Sequence, residues 1–327
     1  MAVVTMLEAI HQALEQEMER DDRVMLLGQD VGKLGGVFRA SEGLQERFGA
    51  ERVVDMPLAE AVIVGSAVGL AVSGLRPVAE LQFLGFGHQA FHQIGPQLAR
   101  LRYRSQGRFP TPVTIRAPFG GLVRTPEHHS DAIEAQFVQT PGLKIVMPAT
   151  AHDAKGLLLS CLRDDDPTLF CEPLRGYRLI KDEVPEEDFT VPLGQARLAR
   201  EGTDVTIIAW SAMVRTALVA ADELAQRGIS AHVLDLRTLV PLDVAAIAEA
   251  AARTGRVVVA HEAPLSAGFG AEVVATINEE VFYELEAPVK RVAAPDTPYP
   301  LAGIEDLYIP GADRIVAAVD DVLEMTA

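Results

Sequence analysis

Glu60 is the residue with the most chemical promise. The run Pro57-Leu58-Ala59-Glu60 places a carboxylate in the first turn of a segment, EAVIVGSAVGLAVSG (60–74), that carries small residues on nearly all sides. The plain reading of such a carboxylate is a favourable partner for the helix dipole, and the sharper one is acid–base work on a ligand. Four of the eight histidines form two pairs, His88 with His92 and His128 with His129. Either pair needs a further carboxylate or imidazole from the fold before it could bind a transition metal. Gly28 to Lys33, GQDVGK, is one residue short of a phosphate loop and lacks the Ser or Thr that holds magnesium. No GxGxxG opens a helix after a strand, and Gly268-Phe269-Gly270 reads as a turn before a helix, so nicotinamide or flavin chemistry is not supported. The two cysteines, Cys161 and Cys171, lack zinc-type spacing and read as small buried groups in a reducing compartment.

The elements that must position these groups can be read from periodicity. Thr5 and Glu8 form a capping box, and Met6, Ala9, Ile10, Ala13, Leu14 and Met18 then share one helix face. Short apolar runs at 24–27, 52–55, 77–83, 113–116 and 144–147 alternate with helical-period segments, which predicts an α/β fold with a parallel sheet flanked by helices. The stretch KDEVPEEDFTVP (181–192) is acidic, bears proline and reads as a linker, so the expected division is 1–188 and 189–327. Beyond it, strands at 205–209, 231–235, 256–261 and 289–293 alternate with helices near 213–227, 243–253 and 269–281, a second α/β unit. Gly65 and Gly69 in the 60–74 helix permit close backbone approach, either within the subunit or by a helix of another one.

At 327 residues with 49% hydrophobic and 23% charged content, the chain can bury more than one core. A formal charge of -17 opposes binding to phosphate backbones and anionic membrane surfaces, so neither nucleic acid nor membrane is expected as a partner. No apolar run reaches membrane-spanning length and no secretion-type leader is seen, which points to the cytoplasm.

The run Asp55-Met56-Pro57-Leu58-Ala59-Glu60-Ala61, with Gly74-Leu75-Arg76-Pro77-Val78 behind it, resembles the cofactor-activating segment of the β subunits of thiamine-diphosphate-dependent 2-oxo acid dehydrogenases. The likeness covers essentially the whole chain, through Gly35-Gly36-Val37-Phe38, Glu80-Leu81-Gln82-Phe83, Arg102-Tyr103-Arg104-Ser105, Pro112-Val113-Thr114-Ile115-Arg116, Asp235-Leu236-Arg237-Thr238 and Asp296-Thr297-Pro298, in the family's order. Leu84-Gly85-Phe86 and the stretch Gly120-Gly121-x-Val123-x-Thr125-Pro126-Glu127-x-His129 are more similar to the pyruvate type than to the branched-chain type.

The resemblance implies a pyrimidine-binding transketolase-like domain followed by a transketolase C-terminal-like domain. It implies that Glu60 takes the place of the glutamate hydrogen-bonded to the pyrimidine ring nitrogen of thiamine diphosphate. Phe86 then matches the aromatic packed on the aminopyrimidine, Leu58 an apolar neighbour of that ring, and Gln82 a polar residue of the same pocket. His129 matches a histidine beside the substrate and the lipoyl approach, there to stabilise charge or relay a proton. The implied reaction is oxidative decarboxylation of pyruvate, or of a branched-chain 2-oxo acid as the alternative, with transfer to a lipoyl group on an acyltransferase component.

Thr111, Val113, Cys161, Asp164 and Asp166 match positions that enclose a structural potassium ion in branched-chain relatives; a solvated acidic turn is the equal alternative. Gln29 stands where many relatives have an acidic residue, the one hint of a non-catalytic scaffold. The chain has no Gly-Asp-Gly segment, the usual thiamine-diphosphate anchor through Mg2+. In the family an α subunit supplies it, so an α2β2 heterotetramer with a shared active site is the expected assembly.

Overall fold

Thr5 starts the first helix, as its spacing from Glu8 predicts. In the computed structural model, which describes residues 2–125 and 127–325, strand β1 (Ala2–Thr5) runs into α1 (Met6–Arg20). The Thr5 hydroxyl accepts from the Glu8 N–H, and the Glu8 carboxylate accepts from the Thr5 N–H at 2.7 Å. Met6, Ala9, Ile10, Ala13, Leu14 and Met18 are buried as one stripe, the amphipathic face that the spacing requires.

The chain divides into two compact units, Met1–Phe119 with Gln136–Leu193, and Gly120–Ala135 with Gly194–Ala327. In the first, β2 (Val24–Gly28), β3 (Val53–Asp55), β4 (Arg76–Glu80), β5 (Thr114–Phe119), β6 (Lys144–Val146) and β7 (Thr168–Pro173) form a parallel sheet in the order β6-β7-β5-β4-β2-β3. Strands β2, β4, β5 and β7 are buried at every residue, as expected when both faces are covered. The helices are α2 (Leu44–Phe48), α3 (Glu60–Val72), α4 (Gly87–His92), α5 (Arg100–Arg104), α6 (Glu134–Val138), which contains the junction at Gln136, and α7 (Ala151–Arg163). Between α4 and α5 the chain makes a π-helical stretch, Gln93–Ala99, around Pro96, whose missing N–H breaks the regular ladder.

The second unit holds β9 (Arg197–Arg200), β10 (Val205–Ala209), β11 (Ala231–Asp235), β12 (Thr238–Val240), β13 (Val257–Pro264) and β14 (Lys290–Ala294). Its sheet runs β14-β13-β10-β11-β9, parallel except for the antiparallel edge strand β9. Helices α8 (Ala212–Gln226), α9 (Val244–Thr254), α10 (Gly270–Val281) and α11 (Ala312–Glu324) accompany it.

Two features depart from the sequence reading. Lys181–Val184, within the expected linker, is strand β8, paired antiparallel with β1 from Ala2↔Val184 to Thr5↔Lys181. Its charged residues carry no apolar alternation because its pairing is confined to a two-stranded ribbon. A single cut near residue 188 also differs from the observed division, because residues 120–135 group with the second unit.

Candidate active site

In an open parallel sheet, ligands bind beyond the carboxyl ends of the strands. Glu60 follows the carboxyl end of β3, and Gln82 and Phe86 follow that of β4. The two strands flank β2 and run parallel, so both segments leave the same edge, two strand spacings or about 10 Å apart. Glu60 is 4% exposed, although it opens α3, and its Oε2 has no hydrogen-bond partner among the described residues. A buried acceptor left unmade costs about 1–3 kcal/mol, more when charged. The dipole reading therefore leaves one oxygen unexplained, whereas a ligand donor would satisfy it. Leu58, two residues earlier, is 67% exposed, an apolar side chain facing outward. Phe86 and Gln82 are half-buried, and Phe86 is braced edge-on by Phe83, ring centroids 5.4 Å apart.

On its outward side α3 leaves Val62 and Val72 exposed, with open space at Gly69, while Ile63, Val64, Ala67 and Ala71 face inward. The loop after β2 is tied to β3, since the Asp55 carboxylate accepts from the Gly32 and Lys33 N–H groups. Gln29 lies in this loop, half-buried.

The strand ends also carry an ionic cluster that sequence reading assigned no role. Arg116 on β5 is 1% exposed and grips Glu172 of β7 with two bonds, Nε–Oε1 at 2.7 Å and Nη2–Oε2 at 3.0 Å. Its Nη1 reaches Glu80 Oε2 of β4 at 2.6 Å, and the Tyr177 hydroxyl donates to Glu172. Burial pushes the Glu80 carboxyl up, against the pull of Arg116. An aromatic chain Tyr177, Phe38, Phe83, Phe86, each ring edge-on to the next, links this cluster to the edge where Phe86 stands. The signal was present as Glu80 and Arg116 on consecutive apolar runs, where charges are rare.

His129 belongs to the second unit, on a short 3-10 turn (Glu127–His129). Burial, and then the neighbouring His128 ring 4.3 Å away, hold its imidazole below the usual range, so it is neutral at neutral pH and can accept a proton. The Thr125 and Ser130 hydroxyls, 2.7 Å apart, bridge the turn. Pro126 of this motif lies outside the described residues. The other pair, His88 and His92, belongs to the first unit, on α4, with His88 Nε2 2.7 Å from Gln136 Oε1.

Thr111, Val113, Cys161, Asp164 and Asp166 converge around one turn: Thr111 N–H donates to the Asp165 carbonyl, and Asp166 N–H to Asp164 Oδ1. The acidic side chains are already met by cations. Lys144 Nζ lies 2.6 Å from Asp164 Oδ2 and 3.3 Å from Asp166 Oδ2, and Arg102 Nη1 lies 2.6 Å from Asp166 Oδ1. An ion in this turn would rest on backbone carbonyls and on the Thr111 hydroxyl, whose Oγ1 is buried without a hydrogen-bond partner among the described residues. Burial pushes the Cys161 thiol up to about 12, which leaves it unreactive.

The chain matches the model of the transketolase pyrimidine-binding domain over residues 2–178 and that of the transketolase C-terminal domain over residues 194–315. It is 51% identical over 324 residues to the pyruvate dehydrogenase E1 component subunit beta of Bacillus subtilis (strain 168), covering 99% of this chain and 100% of that one. With the subunit of the same name from Staphylococcus aureus (strain N315) the identity is 49% over the same shares. A solved structure described as a split gene transketolase, inactive beta4 tetramer, superposes with a TM-score of 0.81 at 27% identity over 100% of both chains.

Proposed function

This chain belongs to the family of pyruvate dehydrogenase E1 component β subunits, and from that membership we propose that it is the β half of an enzyme that oxidatively decarboxylates pyruvate and passes the acetyl group to a lipoyl-bearing acyltransferase. The observation that carries the reading is the buried Glu60 carboxylate, one oxygen of which lacks a hydrogen-bond partner among the described residues, beyond the carboxyl end of β3. Thiamine diphosphate, when bound, supplies the electron sink that loss of carbon dioxide from a 2-oxo acid requires. Glu60 fits that group: Oε2 can accept from, and hold the proton on, a pyrimidine ring nitrogen. Phe86 and Leu58 offer apolar contact to the ring and Gln82 a polar one. His129, neutral at pH 7, accepts or returns a proton where the lipoyl group approaches.

The diphosphate and its Mg2+ fall to an α partner, because the chain has no Gly-Asp-Gly. The outward face of α3, with Val62, Gly69 and Val72, suits close packing against another chain in an α2β2 assembly. That the structural relative is described as inactive in its β4 form supports the reading that this chain turns over no substrate alone. A potassium ion held by the carbonyls around Thr111 and Asp164 would be structural. No helix among the described residues is long and apolar enough to cross a membrane, the two buried thiols suit a reducing compartment, and the reading places the chain in the cytoplasm.

The test is reconstitution with the native α partner, thiamine diphosphate and Mg2+, with turnover measured on pyruvate and on branched-chain 2-oxo acids. Pyruvate should be preferred, and Glu60→Gln should lower decarboxylation by about 10²- to 10⁴-fold. A preference for branched-chain acids would overturn the substrate assignment. Turnover that Glu60→Gln leaves intact would overturn the role of Glu60.

A further inference from the structure

The loop that carries His129 begins with backbone that few residues adopt. Gly120 has φ 89°, and the non-glycine residues Leu122 and Arg124 have φ 62° and 60°. Such alternation turns successive N–H groups toward one point and makes a concavity for an anion. Here the anion is a side chain of the same unit. Glu305, fully buried, accepts from Leu122 N–H at 2.5 Å and Val123 N–H at 3.2 Å through Oε1, and from Arg124 N–H at 3.1 Å through Oε2. The Tyr299 hydroxyl also donates to Glu305 Oε1 and accepts from Leu122 N–H at 3.1 Å. A second buried carboxylate, Glu262 Oε1, accepts from Gly121 N–H at 2.6 Å.

Both glycines are explained by these contacts. A Cβ at Gly121 would lie 1.8 Å from Tyr299 Oη, and one at Gly120 would lie 2.6 Å from Glu262 Oε1. The closest backbone approach in the loop is therefore to the groups that hold it. Arg124 adds an outer tie to Asp306 Oδ2 at 2.6 Å and to the Ala302 carbonyl.

We propose that Glu305, with Tyr299 and Glu262, is a positioning residue for catalysis: an internal carboxylate seated in the backbone nest of residues 122–124 sets the conformation from which His129 is presented. The proposal rests on the role given to His129 above. It deepens that reading by adding residues that touch neither substrate nor cofactor and act through the loop. Glu305→Gln keeps size and shape but turns one of the two acceptor oxygens into a donor that faces backbone N–H groups.

In the reconstituted heterotetramer, two rates separate this role from general stability: acetylation of the lipoyl group, and pyruvate decarboxylation coupled to ferricyanide, which bypasses it. Glu305→Gln should lower kcat for lipoyl acetylation by about tenfold to a hundredfold, the cost of misplacing a catalytic group by about 1 Å. The ferricyanide rate should stay within about twofold, and Glu305→Gln should add no more than about twofold to the defect of His129→Ala. Equal loss in both rates, or costs that multiply in the double variant, overturns the proposal. Tyr299→Phe, which removes a single hydroxyl, should depress the lipoyl rate alone and to a smaller degree; no depression overturns the proposal even if Glu305→Gln fails to fold. If His129→Ala leaves lipoyl acetylation intact, the role of His129 has failed. Amide exchange then decides the latch: faster exchange at Leu122, Val123 and Arg124 in either variant, with strands β10 and β13 unchanged, supports it, and unchanged exchange at these amides refutes it.

Discussion

Glu134 and His261, both buried in the second unit, titrate in opposite directions. Burial pushes the Glu134 carboxyl up to about 7, with Glu262 adding to the rise and the Trp210 indole N–H, 3.3 Å from Oε1, opposing it. Burial, then Arg291, pulls the His261 imidazole down to about 4. Between pH 4.5 and 7 the folded state keeps the Glu134 proton that the unfolded chain loses, so this group's stabilisation is lost as pH rises. Between pH 6.5 and 4 the unfolded chain binds the His261 proton first, so stability from that group is lost as pH falls. Over their shared window the two slopes oppose each other, and the intact protein should show little net dependence from this pair. Removing one exposes the other. Glu134→Gln should gain stability relative to the parent by about 1.4 kcal/mol per pH unit as pH rises through that window, read from urea midpoints at several pH values. A constant difference would show that Glu134 ionises normally.

At the level of elements, Arg116 ties three parallel strands, β4, β5 and β7, through Glu80 and Glu172. Although burial alone would favour loss of its charge, Glu172 and Glu80 raise the guanidinium further and keep it charged. Arg116→Met fills much of the same space but strands two buried carboxylates, and should cost about 3–5 kcal/mol in chemical denaturation. A cost below about 1 kcal/mol, the range of an exposed pair, would mean that water reaches the cluster. Strands of this sheet were legible in the sequence because their burial on both faces writes continuous apolar runs. β8 was not, because Lys181–Val184 pairs along one edge with a strand at the other end of the unit, and such a ribbon needs no apolar code. The nest around Glu305 was hidden for a similar reason. Its donors and its carboxylate lie more than 180 residues apart in sequence, 183 for Leu122 and 181 for Arg124, and only the doublet Gly120-Gly121 hinted at a close approach.

For the whole molecule, the sequence made the family and the two α/β units readable, since many collinear blocks must agree at once. Glu60 was readable as a residue but not as a site, because what distinguishes it from an ordinary first-turn glutamate is burial with one oxygen lacking a partner among the described residues, a property of the folded edge. On the proposed reading, the other half of the site resides in a second polypeptide. The central claim is that Glu60 controls a proton on the pyrimidine of thiamine diphosphate. The most direct measurement is the rate at which the thiazolium C2 proton of bound coenzyme exchanges with solvent deuterium in the α2β2 enzyme, with pyruvate absent. Glu60→Gln should slow this exchange by about a hundredfold or more while the assembly stays intact. An exchange rate equal to that of the parent enzyme, with coenzyme bound, would contradict the account.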